Sequence, residues 1–397
     1  MNRSIMRRKK KNFLLITILL AAALLAGCGN AAPSASSAGN SNTKNNENAR
    51  KIRGLTYQSE VKRDYADQFR IYRYQGGYRL ITVADGSRYL VVPKGKKVPA
   101  GAGGKTVILR QPLSHVYNAA TASMSLFSAA GALDQVTMSS LRESGWTFSA
   151  PRQRMQSGAM VYAGKYSEPD YEMLVDRRCD LAVESTMIYH TPDVKEMIED
   201  LHIPVFVDRS SYEKHPLGRV EWVKVYGALT GRESAANRFF QGQKSKAAGR
   251  KTGGVSQGKK GKKVAFFYLS TDGKAVVRRE DDYVPAMIRM AGGKYAYSGV
   301  HARASSVPMS MENFYELTRD ADLIVYNGSI DRTVRSLADL KAKDPIMKKI
   351  PAVRQGNCYV AGSAMYQRTD LTGDMIADFR NLLAGDTGDL RFMKKLK

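Results

Sequence analysis

The sequence predicts an α/β fold: two Rossmann-like lobes with parallel sheets, joined by one long helix, with a small β-rich N-terminal extension. Three observations predict it. From about residue 105, short apolar runs alternate with helical patterns at the spacing of βαβ units. A long helical stretch, 218–251, interrupts that alternation midway. Before residue 105, alternating Tyr, Ile, Val and Leu are broken by Gly-rich turns, as in hairpins.

Each element has a local reason. In the extension, 51–104, the run FRIYRYQGGYRLITVADGSRYLVV carries turn signals at Gly76-Gly77 and Asp85-Gly86. The N-terminal lobe, 105–217, is expected to open with a strand at 106–110. An Ala/Ser-rich helix at 115–130 and a strand at 134–138 follow. A short helix at 169–178 leads into a strand at 179–185. Thr191 and Pro192 start a helix at 191–201, and a strand at 203–208 ends the lobe. The inter-lobe segment, 218–251, breaks at Thr230-Gly231. Its second half begins at Glu233 and ends in Lys244, Lys246, Arg250 and Lys251, which suits the helix dipole. A basic Gly/Lys loop, 252–263, contains no acid. The C-terminal lobe, 264–397, repeats the alternation with strands at 264–270, 321–329 and 356–362. Its helices are expected at 282–293, 310–320 and 371–384.

The N-terminus reads as a lipoprotein signal peptide, 1–27. Six basic residues precede an apolar run from Phe13 to Leu25, interrupted by Thr17 alone. That run is shorter than the roughly 20 residues a spanning helix needs. Leu25-Ala26-Gly27-Cys28 resembles the bacterial lipobox, which makes Cys28 the expected lipidation site. The alternative is an ordinary signal peptide ending near a cysteine. The lipobox implies an extracytoplasmic protein anchored to the cell membrane, in the periplasm or on the outer face. Residues 28–50, poor in bulky groups, read as a flexible linker. Loss of the signal lowers the formal charge from +25 to +19. Nucleic acid is not an expected partner in that compartment, whereas an anionic wall polymer or lipid surface is. Cys179 and Cys358 have neither redox nor metal-ligand spacing and read as buried free thiols.

In open α/β sheets ligands bind beyond the carboxyl ends of the strands. That rule selects Arg110, Ser139, Ser140, Glu184, Ser185, Ser210, Ser211 and Tyr212 in the first lobe. In the second it selects Tyr268 and Asn327, and Arg278, Asp282 and Tyr283 are added as a loop and helix start expected to face the cleft. Such a lining suits a polar or anionic ligand with planar parts, such as a metal chelate. A bare zinc or manganese site would need about three histidines and an acid, and only His190 and His215 follow first-lobe strands. Neither an HExxH pair nor a Gly-x-Ser-x-Gly elbow occurs, so no catalytic residues are assigned and no enzyme is expected.

One pattern occurs in both halves. A carboxylate in the first turn of a short helix precedes a "DL" strand: Glu172 in SEPDYEMLVDRRCDLAVES and Glu312 in PMSMENFYELTRDADLIVYNGS. Acids favour helix N-termini in any case. In order along the chain, SAAGALDQVTMSS, DLHIPVFVD, YGALTGRESAANRFF and VRQGNCYV resemble segments of the solute-binding lipoproteins of ABC importers. The branch is the one that carries ferric siderophores, haem and cobalamin. The resemblance spans about 105–385. It implies a hinge-poor, monomeric receptor that uses no cofactor of its own and holds its cargo between the lobes. The implied partners are an ABC permease and its ATPase, with Glu172 and Glu312 pairing with permease arginines. Two other readings stay open: a bare zinc or manganese transport lipoprotein, and a wall-associated lipoprotein whose basic loop binds anionic polymer.

Overall fold

The computed structural model describes residues 50–249 and 261–397. The signal peptide, Cys28, the linker and most of the basic loop lie outside these described residues.

The extension is a five-stranded sheet. Its strands are β1 (Tyr57–Glu60), β2 (Phe69–Tyr74), β3 (Arg79–Val83), β4 (Arg88–Val92) and β5 (Thr106–Arg110), in that spatial order. The first four pair antiparallel, and the β2–β3 and β3–β4 hairpins turn at the two Gly signals. Strand side chains alternate between faces, and here both faces are covered. Phe69, Ile71, Ile81, Tyr89 and Val91 enter the main core, while Tyr72, Leu80 and Leu90 pack under Ile52 and Ala102.

The sequence places 106–110 at the start of the first lobe. In the structure this strand pairs in parallel with β4, with Val92 opposite Arg110, and closes the extension's sheet. Arg110 is exposed at the end of that strand and does not end a first-lobe strand. The lobe's own sheet opens instead with β6 (Val116–Asn118), inside the stretch read as helix. A central strand buried on both faces shows no alternation. Its three residues therefore merge with the Ala/Ser-rich helix Ser123–Ala130 that follows.

Strands β7 (Val136–Ser139) and β8 (Val161–Tyr162) continue this sheet, and β9 (Gly164–Lys165) and β10 (Glu168–Pro169) form a small hairpin beside it. With β11 (Leu181–Ser185) and β12 (Val205–Asp208), the order is β12-β11-β6-β7-β8, all parallel. One face meets helices Ser123–Ala130 and Val223–Thr230 and the extension. The other is covered by helices Tyr171–Asp176 and Pro192–Asp200.

Glu184 lies on that second face. Leu181 and Val183 point to the main core, and Ala182 to the smaller apolar cluster with Tyr117, Leu174 and Ile198. The period of two sends Glu184 with Ala182. It is fully buried, and neither carboxylate oxygen has a hydrogen-bond partner among the described residues. The expectation that Glu184 lines the cleft is therefore corrected. A parallel strand buried on both faces gives no sequence clue to which face a polar residue takes.

The helical connection runs through Pro216–Glu221, Val223–Thr230 and Glu233–Ala248. Gly231 takes a left-handed conformation (φ 71°) that ends the second helix, at the predicted break. Ala236, Phe240, Gln243 and Ala247 form one buried stripe of the last helix. This helix crosses the C-terminal helix Thr372–Ala384 closely. A Cβ at Gly373 would lie 2.3 Å from the Gln243 carbonyl oxygen, so only glycine fits. The Gln243 side chain accepts from the Gly373 N–H at 2.9 Å and donates to Asp374 at 2.9 Å.

The second lobe carries β13 (Lys263–Leu269), β14 (Ala275–Arg278), β15 (Lys294–Tyr295), β16 (Ser306–Met309), β17 (Leu323–Tyr326), β18 (Cys358–Ala361) and β19 (Met393–Lys395). The order is β16-β14-β13-β17-β18-β19, with β15 pairing to β13. Strands β13, β15, β17 and β18 are parallel, and β14, β16 and β19 are antiparallel additions. One apolar core runs without a break from the extension through both lobes.

Two buried carboxylates fasten the extension to the connection. Glu221 accepts the backbone N–H groups of Asp64, Tyr65 and Ala66 at 2.7, 2.7 and 2.8 Å, and the Lys224 ammonium at 2.6 Å. Glu213 accepts those of Asp67 and Gln68 at 2.9 and 3.0 Å, and the Trp222 indole at 2.9 Å.

Two predictions follow from this packing. Glu221→Ala leaves the Lys224 ammonium buried and unpaired, and is expected to cost about 3–5 kcal/mol in denaturant unfolding. Burial alone pushes the Glu184 carboxyl up to about 9 from 4.5, so the folded chain holds a proton that the unfolded chain releases. The stabilising protonated state is complete below pH 4.5, and stability falls as pH rises towards 9, by about 1.4 kcal/mol per unit. Glu184→Gln should remove this slope and raise the melting temperature at pH 8 far more than at pH 5.

Candidate functional site

The carboxyl ends of the two sheets face a common junction. Beyond β7, the Gly145–Phe148 turn meets the segment after β18. Gln367 accepts from the Thr147 N–H and hydroxyl, both at 2.7 Å, and donates to the Gly145 carbonyl at 2.7 Å. Arg368 lies 4.8 Å over the Phe148 ring and pairs bidentately with Asp370 at 2.8 Å. These contacts fasten one end of the junction.

Cations and aromatic rings form its floor. Arg219, from helix Pro216–Glu221, sits 4.0 Å over the ring of Tyr283, at the start of second-lobe helix Tyr283–Met290. Among the described residues it forms no ion pair. Arg278 approaches the same ring at 5.8 Å, held by Asp282 at 2.9 and 3.1 Å and by Ser306 at 2.9 Å. Burial, and then the Tyr366 phenol, push the Tyr268 phenol up. Asn327, buried after β17, donates to the Tyr366 hydroxyl at 3.1 Å. Tyr268, Arg278, Asp282, Tyr283 and Asn327 thus lie in one neighbourhood around Tyr366, with Arg278 at the end of the antiparallel strand β14 rather than in a loop.

The first-lobe candidates divide. Ser139 is buried and closes its own turn with the Leu141 N–H and carbonyl at 3.0 and 2.9 Å. Ser140 donates to the Ala119 carbonyl at 3.3 Å, and Ser185 caps the Met187 N–H. The Ser210 N–H donates to Asp208 at 2.8 Å. These serines shape loops. Ser211 and Tyr212 are exposed at the same edge. His215 caps Leu217 and stacks on Tyr65 at 4.3 Å, so it serves the packing of the connection. Among the described residues, no group of three or more His, Cys, Asp or Glu could hold a metal ion.

Sequence reasoning missed Arg209, Arg219, Tyr366 and Gln367. Arg209, Tyr366 and Gln367 follow strand ends, so the same rule could have found them. Arg219 lies within a helix, and nothing local marks it.

Glu172 and Glu312 are both exposed, each in the first turn of a short helix ahead of a parallel strand. Asp170 caps the first helix and Ser310 the second. The local backbone N–H and the Ser310 hydroxyl hold the Glu312 carboxyl below its ordinary range.

Comparison with known proteins agrees with this architecture. An uncharacterized lipoprotein of Methanocaldococcus jannaschii is 23% identical over 322 residues, 77% of this chain and 74% of its own length. The periplasmic haem-binding protein of Vibrio cholerae shares the fold with a TM-score of 0.55 at 18% identity, covering 66% of this chain and 97% of its own. A periplasmic binding protein of Veillonella parvula gives 0.56 at 16% identity, over 68% and 91%. The family model described as periplasmic binding protein matches residues 121–365. With two α/β lobes, a helical connection and a cationic, aromatic floor where the lobes meet, the chain belongs to the periplasmic binding protein family, the non-enzymatic substrate-binding components of ABC-type importers.

Proposed function

We propose that the protein is the lipid-anchored receptor of an ABC importer for a metal chelate. A ferric siderophore is the first choice, and haem or cobalamin the next. The observation that carries this reading is the floor of the junction, where Arg219 and Arg278 flank Tyr283 and Tyr268 and Tyr366 lie close by. A chelate presents planar ligating groups and net negative charge. Tyrosine faces take the first, and an arginine stacked on a ring takes the second. The haem-binding role of the Vibrio cholerae relative supports the ligand class.

The chain would do no chemistry. Its continuous core keeps the lobes in a nearly fixed relation, so cargo exchange would depend on small movements at the Gln367–Thr147 contact rather than on a wide hinge. Glu172 and Glu312, one per lobe, would read the lobes' spacing against basic pockets of the permease. Cys28 would carry the lipid that keeps the receptor beside it.

Trp146 is buried next to the Thr147–Gln367 contact. Titration with ferric siderophores, haemin and cyanocobalamin should give saturable quenching with at least one of them. In Trp146→Phe most of the quench should vanish, while the affinity read by absorbance stays unchanged. Arg219→Ala should weaken binding at least tenfold. No saturable response to any of the three classes would overturn the cargo assignment. Separately, Glu172→Lys with Glu312→Lys should abolish uptake and leave chelate affinity intact. Unchanged uptake would refute the docking role.

A further inference from the structure

The turn between β3 and β4 belongs to the extension, which precedes the stretch matched by the family model. It nevertheless reaches the carboxyl edge of the first lobe's sheet. There Asp85 accepts the Tyr189 hydroxyl at 2.6 Å. Tyr189 follows β11. Arg209, directly after β12, stacks on the Tyr212 ring at 4.4 Å. Its guanidinium reaches the Tyr189 hydroxyl and the Gln68 side-chain oxygen only at 3.5 Å each, the outer limit of hydrogen bonding. Its Nε is buried without a partner among the described residues. Tyr189 and Tyr212 are 42% and 52% exposed.

We infer that this edge is a subsite for a planar anionic group, bound by Arg209 and Tyr212 and positioned by Asp85 and Gln68 of the extension. The terminal N–H groups of a guanidinium stacked on a half-exposed tyrosine, bonded only at 3.5 Å, suit an aromatic carboxylate. Asp85 fixes Tyr189, and Tyr189 in turn holds one edge of Arg209. Burial and the Asp85 hydrogen bond push the Tyr189 phenol up to about 12, so it stays a donor to Asp85 at neutral pH. The extension thereby becomes a selector of cargo. The assignment of that group to a chelate rests on the proposed function, and the subsite itself does not.

The test uses 2,3-dihydroxybenzoate as the planar anion and its uncharged amide, followed by saturation-transfer NMR on the full mature chain. The anion should bind at least tenfold more tightly than the amide. Arg209→Ala and Tyr212→Ala should each lose that binding at least tenfold with unchanged melting temperatures. Asp85→Asn should weaken it three- to tenfold and Asp85→Glu should restore it, which a merely structural role would not produce. Absence of anion binding, or equal binding by wild type, Arg209→Ala and Tyr212→Ala, overturns the subsite. Chelate binding that ignores Arg209 would refute the assignment of the subsite to the chelate and leave the proposed function standing. Anion binding at Arg209 without chelate binding would do the reverse.

Discussion

Five backbone N–H groups of one loop, residues 64–68, end on two buried carboxylates, Glu213 and Glu221. The rest of the architecture depends on this clasp. A buried carboxylate is tolerable only when its lone pairs are used. These two use theirs on consecutive amides of another element, so desolvation and register are solved together. Burial still pushes the Glu213 carboxyl up, with the amide and indole bonds opposing it. The clasp seats Phe69 on Trp222 and Tyr89 on Phe206, and so turns the extension from an appendage into a wall of the first lobe.

Once that wall is in place, the core has no seam. The same apolar cluster contains extension strands, the connecting helices and the sheet of the second lobe. Close-packed interiors transmit displacement rather than absorb it. The crossing helix is keyed to the C-terminal helix by Gln243 and by the side-chain-free Gly373, which leaves little freedom for rotation of one lobe on the other. The three hydrogen bonds of Gln367 are, by contrast, a small and local tie. A receptor built this way recognises cargo by a preformed floor rather than by enclosure, which suits a bulky, rigid chelate.

Charge is used differently at the surface and at the junction. Many of the chain's cations are exposed and solvated, where they act through long-range field. Arg219 and Arg209 instead lie against tyrosine rings, within the field of Asp208 and Asp85 but with no direct ion pair among the described residues. Glu184 shows the opposite case: a carboxyl with no partner, kept neutral by its apolar surroundings.

Much of this was written locally. The alternation of strands and helices, the two hairpin turns, the break at Gly231 and the capped helices bearing Glu172 and Glu312 all follow from patterns within about a dozen residues, where periodicity and caps are encoded. The positions of Tyr268 and Asn327 were legible for the same reason, because a strand's end is a local signal, whereas the strand that carries Arg278 was not. The tertiary structure alone decided that Thr106–Arg110 joins the extension, that Val116–Asn118 is the central strand, and that Glu184 faces away from the junction. It alone brought Arg219 over Tyr283 and Asp85 to Tyr189. Sheet membership, the facing of a strand buried on both sides, and contacts between residues more than sixty positions apart depend on how distant surfaces fit. No local pattern in the chain carries that information.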